Sequence, residues 1–310
     1  PAAYAAVEED KQSAPTISPN NNRIPAGDLV AGVLKIKLEL RQGRWYPDKD
    51  GGPSLVIQVF GEEGRAPEVP GPLMRVPEGT EIRASVRNRL TMSAVVHGLH
   101  ERPGDPKDAI EVAPGEVREV RFKAGAPGTY YYWARTTKEE FPTPPETLLS
   151  GAFVVDAAGN TPDDRVFVIG LWYEGWLGKP DFREVLAVNG KSWPYTERFT
   201  FAVGEQVRWR WVNPSVSDHA MHLHGFYYTV NSVGDAERTT VYGENQRRQV
   251  VTAHIASSGT MALTWVPERG GNWIFHCHML AHMSTEARLG RDKPMHSGET
   301  HDDPADSAGM

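Results

Sequence analysis

Two short stretches of the chain carry residues whose types and spacing suit a metal. They are His219-Ala-Met-His222-Leu-His224-Gly and His276-Cys277-His278-Met-Leu-Ala-His282. Together they hold six of the eleven histidines and the only cysteine. On a β-strand, residues i and i+2 share a face and i+1 points the other way. His222 therefore projects with His224, and His276 with His278, while Cys277 faces the opposite side. If the two strands are neighbours, four imidazoles converge on one face. On the other, Cys277 is expected to meet His219 and His282 from flanking loops.

Two imidazoles and one thiolate form the ligand set of a blue copper centre, usually with a weak axial ligand. A face of four imidazoles suits copper that meets a small molecule such as dioxygen. A lone His-x-His pair is more often a pair of surface histidines, and a lone cysteine a small buried hydrophobe. Here the pairs coincide with each other and with the cysteine, which favours ligation. Structural zinc usually wants a closed, Cys-rich tetrahedron, which one cysteine cannot supply.

Strands must position such motifs, and the chain is written as strands. Val33-Leu-Lys-Ile-Lys-Leu-Glu-Leu, Ser54-Leu-Val-Ile-Gln-Val-Phe and Glu81-Ile-Arg-Ala-Ser-Val-Arg alternate apolar and polar residues, as half-buried strands do. With 30 Gly and 24 Pro among 310 residues, long helices are not expected; the best helical window is Thr143 to Leu149. Many short strands predict sandwiches or barrels.

The pattern occurs twice. Gly79-Thr-Glu-Ile-Arg-Ala-Ser-Val-Arg-Asn88 matches Gly204-Glu-Gln-Val-Arg-Trp-Arg-Trp-Val-Asn213, Val95-Val-His-Gly98 matches His222-Leu-His-Gly225, and Gly128-Thr-Tyr-Tyr-Tyr-Trp-Ala-Arg135 matches Gly271-Asn-Trp-Ile-Phe-His-Cys-His278. A repeat this long is a duplicated domain. We expect a mobile N-terminal arm (1–28), a first domain (29–158), a second domain (159–290) and a polar tail (291–310). The start at Pro-Ala-Ala, without Met or an apolar leader, suggests a processed or trimmed N-terminus.

Composition excludes some functions. Thirty-three Lys plus Arg against 40 Asp plus Glu leave a net charge of −7, which argues against a nucleic-acid binder. No apolar run approaches the roughly 20 residues of a spanning helix. One cysteine forms no internal disulfide.

The two motifs resemble the C-terminal copper signatures of the multicopper oxidases, the laccase group. Gly128-Thr-Tyr-Tyr-Tyr and Leu149-Ser-Gly-Ala-Phe-Val-Val-Asp156 resemble the closing strands of that family's first cupredoxin domain. The resemblance spans about residues 30 to 290. It implies an all-β chain of two tandem cupredoxin-like Greek-key sandwiches. It also implies that His219, Cys277 and His282 are type 1 copper ligands, His222 a type 2 ligand, and His224, His276 and His278 type 3 ligands. In the family, electrons taken from a reductant pass through the Cys277 thiolate and its flanking histidines to a trinuclear cluster that reduces dioxygen to water. Proteins of this kind are usually exported, so a periplasmic or extracellular location is expected.

The departures from the family pattern are informative. A complete trinuclear cluster needs eight histidines, and the second repeat offers four. In the first repeat only His97 stands at a matching position, and Trp133-Ala134-Arg135 replaces the other pair. His97 is expected to pack or hydrogen-bond as a relic. His100 is expected in a loop, and His254, His296 and His301 need no metal. The frequent axial Met position is Ala287. A bacterial subgroup with a long polar insertion places that Met later, which makes Met310 the candidate, with Met279 and Met283 as alternatives. That subgroup continues into further cupredoxin sequence with a complete His-x-His.

Three functions remain open. The first is an oxidase module whose cluster is completed by another chain or downstream domains. The others are a single-copper electron carrier and a copper-binding or storage protein. The four retained cluster histidines favour the first. Small-molecule or metal-ion reductants are both compatible with it.

Overall fold

The computed structural model describes residues 14–136, 148–175, 182–279, 282 and 289. It contains no α-helix among those residues; the helical window from Thr143 falls largely outside them. The first half is built from β1 (Ser18–Pro19), β2 (Asp28–Val30), β3 (Val33–Trp45), β4 (Leu55–Glu62), β5 (Glu68–Val69), β6 (Gly71–Pro77), β7 (Glu81–Asn88), β8 (Ala94–His97), β9 (Ala109–Val112), β10 (Val117–Lys123), β11 (Gly128–Arg135) and β12 (Ser150–Asp156). The second is built from β13 (Arg165–Glu174), β14 (Arg183–Val188), β15 (Val207–Val212), β16 (His219–Leu223), β17 (Tyr228–Asp235), β18 (Thr239–Val241), β19 (Gln249–Val250), β20 (Thr252–Ile255), β21 (Gly259–Trp265) and β22 (Phe275–Cys277).

Each half is a sandwich of two sheets. In the first, β10-β7-β3-β2, with β4 on β3, faces β6-β12-β11-β8-β9; in the second, β14-β13-β15-β21-β17-β18 faces β20-β16-β22. Alternation sets the faces. Leu34, Ile36, Leu38 and Leu40 of β3 enter the first core while Lys35 and Lys37 stay exposed. Val207, Trp209 and Trp211 of β15 enter the second, and Arg208 and Arg210 point away.

The halves share a buried seam. Leu73, Tyr131, Ala152 and Val154 of the first pack with Val166, Val168 and Val212 of the second. Beside them Arg75 binds Asp156 (2.7 Å) and Asp164 (2.8 Å), and Arg210 binds Asp164 (2.6 Å). Arg102, fully buried, donates from Nε to the Ala236 carbonyl at 2.6 Å.

The expected N-terminal arm is corrected in part. From Ile17 to Val30 the chain is built into the fold: Ser18–Pro19 pairs in parallel with Glu68–Val69, Ile17 is buried, and Asn22 donates to Asn189 of the second half at 3.1 Å. Polar, proline-rich sequence without periodicity hid this, because two-residue strands have no period to show.

Candidate metal centre

Strand pairing brings the two motifs together. β16 lies between β20 and β22, with Met221 opposite Cys277, His222 opposite His276 and Leu223 opposite Phe275. His219, Met221 and Leu223 are buried on the core face, and His222 lies on the other. Phe275 anchors β22 in the core, with ring centroids 5.0 Å from Trp209 and 5.2 Å from Trp211. Gly225 ends the first motif at φ +83°, where a Cβ would lie 2.4 Å from the Trp273 ring; only glycine combines that backbone with that approach.

On the core face, ligand atoms of His219, Cys277 and His282 all lie within 4.8 Å of one another. Cys277 and His219 are fully buried, and His282 is nearly so. His219 is the first residue of β16 and not a loop residue as expected; its odd-numbered position alone puts it on the Cys277 side. The Cys277 Sγ lies 3.3 Å from His282 Nδ1. Burial raises the Cys277 thiol. Burial, then the nearby His282, pushes His219 down to about 3, and burial lowers His282 as well. Both imidazoles are therefore neutral near pH 7, the form that ligates. His219 Nδ1 is buried with no hydrogen-bond partner. A buried, unpartnered nitrogen beside a thiol and a second imidazole fits a soft metal ion and is costly without one.

The opposite face holds four imidazoles. Ring centroids are 4.7 Å apart for His222–His224, 5.0 Å for His224–His276, 5.1 Å for His222–His278 and 5.5 Å for His276–His278. His224 and His276 meet Nε2 to Nε2 at 2.9 Å. His222 and His276 are half-buried, while His224 and His278 are exposed. Burial lowers the pKa of His222 and His276. His222 Nδ1 bonds Thr252 Oγ1 at 2.7 Å. Thr252 escaped sequence reasoning because it sits on β20, thirty residues away.

Among the described residues, the first half builds no such face. His97 lies opposite Trp133 in the β8–β11 pairing, and their rings stack at 4.1 Å and 7°. His97 Nδ1 contacts the Pro106 carbonyl at 3.2 Å. His100 bonds Glu237 across the seam at 2.6 Å, and His254 meets Asp218 at 3.2 Å. Met279 offers its carbonyl to the His282 N–H at 2.9 Å, and its side chain is partly exposed. Met283, Ala287, His296, His301 and Met310 lie outside the described residues.

Models of multicopper oxidase domains match residues 64–159 and 169–289.

The chain belongs to the multicopper oxidase family.

Copper is the cofactor that membership carries, and the His219–Cys277–His282 group is consistent with a type 1 site. The probable nitrite reductase-hydroxylamine oxidoreductase fusion protein of Kuenenia stuttgartiensis is 28% identical over 254 residues, covering 74% of this chain but 28% of that protein. The chain thus spans well under half of this curated relative. The Blue Copper Oxidase from Nitrosomonas europaea superimposes with a TM-score of 0.65 at 20% identity, covering 84% of this chain and 82% of that one. The copper nitrite reductase from Nitrosomonas europaea gives 0.60 at 18% identity, covering 89% and 97%. At such identities these structures share the fold of this multicopper oxidase, two cupredoxin-like sandwiches in tandem. Among the described residues no helix is long and apolar enough to cross a membrane.

Proposed function

We propose that this chain is a laccase-like oxidoreductase module that takes single electrons from a small-molecule or metal-ion reductant and delivers them to dioxygen. His219, Cys277 and His282 hold the type 1 copper, and His222, His224, His276 and His278 supply half of a trinuclear site. Copper bound there supplies one-electron transfer on the core face and electrons for dioxygen on the other. Four one-electron oxidations balance the reduction of O2 with four protons to two waters. The observation that carries the proposal is the placement of His276 and Cys277. Adjacent residues of one strand serve opposite faces, so a few covalent bonds separate the two sites.

The chain's own residues prepare both faces. The aromatic core around Trp209, Trp211 and Phe275 excludes water from Cys277 and holds β22 in register. Thr252 holds the His222 ring. The half-exposed histidine face is suited to closure by complementary cupredoxin domains or by another chain, which supports the first reading. A periplasmic or extracellular location accords with the family resemblance.

The second reading is a single-copper electron carrier. The first half favours it, since His97 is engaged with Trp133 and Pro106. Copper analysis of the assembled protein, with dioxygen uptake, separates the two. Three or four coppers per chain and dioxygen consumption support the oxidase. One copper per chain without consumption supports the carrier. Nitrite, suggested by the name of the Kuenenia relative, is the alternative acceptor to assay alongside.

A further inference from the structure

The duplicated asparagines Asn88 and Asn213 do the same work in both halves. Each is fully buried. Asn88 Nδ2 donates to the Met92 and Val112 carbonyls at 2.8 Å, and its Oδ1 accepts from the Leu90 N–H at 2.9 Å. Asn213 Nδ2 donates to the Ser217 and Ala256 carbonyls at 2.8 Å, and its Oδ1 accepts from the Ser215 N–H at 3.2 Å. The loop bracket is therefore complete with Leu90 at the position two residues on. In the half with the metal-binding histidine, that position is a serine, and its hydroxyl is an addition the bracket does not require.

The hydrogen bonds of that hydroxyl fix a direction. Two carbonyls on Nδ2 forbid a flip of the Asn213 amide, so Oδ1 faces Ser215. The Ser215 hydroxyl lies 2.6 Å from Oδ1 and donates to it in preference to the Ser217 carbonyl, 3.3 Å away; either acceptor keeps the hydrogen off His219. A hydroxyl has one hydrogen and two lone pairs. One lone pair takes the Ser217 N–H at 3.3 Å, and the other faces His219 Nε2 at 3.4 Å. With its hydrogen committed, Oγ meets Nε2 only as an acceptor. A neutral imidazole carries a single proton, which this contact places on Nε2. Nδ1, buried and without a partner, is left with a bare lone pair on the ring that groups with Cys277 and His282.

We propose that Ser215 is a positioning residue for His219: directed by Asn213, its hydroxyl holds the imidazole as the Nε2–H tautomer and presents Nδ1 to copper. This rests on His219 being a type 1 ligand. An N–H that donates to oxygen makes the other ring nitrogen more basic. Ser215 thereby favours Cu(II) over Cu(I) and lowers the reduction potential of the site.

The test begins with the metal-free full chain labelled with [15N]histidine. Multiple-bond 15N–1H spectra report the tautomer, with His219 identified by its loss in His219→Gln. The expected result is protonation at Nε2. Ser215→Ala should then stay blue when loaded, raise the reduction potential and weaken Cu(II) binding about 10- to 100-fold, as loss of a ligand's supporting hydrogen bond typically does. Ser215→Thr, which keeps the hydroxyl, should restore both. A wild-type His219 protonated at Nδ1 would overturn the proposal, as would wild-type affinity and potential in Ser215→Ala. The tautomer needs neither a variant of Ser215 nor copper. A wild-type chain that never turns blue would instead remove the type 1 reading on which the proposal rests.

Discussion

His276 and Cys277 are consecutive residues whose side chains belong to different sites. The His276 ring reaches His224, 2.9 Å from nitrogen to nitrogen, while the Cys277 sulfur lies 3.3 Å from His282 on the far side of the strand. Strand parity alone produces this. One residue of slip in β22 would exchange the faces, turning the thiol to solvent and the imidazoles into the core.

The two faces should therefore be separable by mutation. His222→Ala or His278→Ala should leave the blue colour intact and remove dioxygen consumption by the assembled protein. Copper analysis should show one remaining copper per chain. Thr252→Ala should weaken metal binding on this face about 10-fold or more, because the His222 ring loses its partner. Bleaching of the blue site by any of these changes would mean the faces are not independent.

Acid should destabilise the metal-free chain through His219. Its pKa falls from about 6.5 in the unfolded chain to about 3 in the fold, chiefly through burial. The folded group is thus depressed, so its contribution is complete above the unfolded pKa and is lost as pH falls from there toward 3. One such group adds a slope of up to about 1.4 kcal/mol per pH unit. Urea unfolding between pH 7 and pH 4 should show the decline, and His219→Gln should reduce its slope.

The seam should depend on Arg75. Its carboxylate partners Asp156 and Asp164 are almost fully buried. Removing one member of a buried pair leaves an uncompensated charge and costs about 3–5 kcal/mol. Arg75→Met should fall at the low end, about 3 kcal/mol, because Arg210 still pairs with both carboxylates. Chemical denaturation of the full chain measures this.

His97→Phe should leave the copper content unchanged. The ring stacks on Trp133, and phenylalanine preserves that contact. Loss of copper in this variant would make His97 a ligand and not a packing residue.

Much of the site was legible in the sequence because parity is a local rule. His222, His224, His276, Cys277 and His278 sort onto faces from their numbers alone. His219 was placed on the correct side but expected in a flanking loop, whereas it opens the strand His219–Leu223. Ser215 and Thr252 were not legible. They act through single hydroxyls whose partners are fixed by loop and strand pairing, not by spacing. The seam was hidden for a similar reason: Arg75, Asp156, Asp164 and Arg210 look like surface charges until the halves pack. The strands between Ile17 and Val30 are too short to carry a period.

The central claim, that Cys277 is a copper thiolate between His219 and His282, is tested most directly by the visible spectrum of the copper-loaded chain. Charge transfer from the thiolate to Cu(II) should give an intense red-region absorption and a blue protein, and Cys277→Ser should abolish it. A fully loaded protein that stays colourless, or a Cys277→Ser variant that keeps the band, would contradict the account.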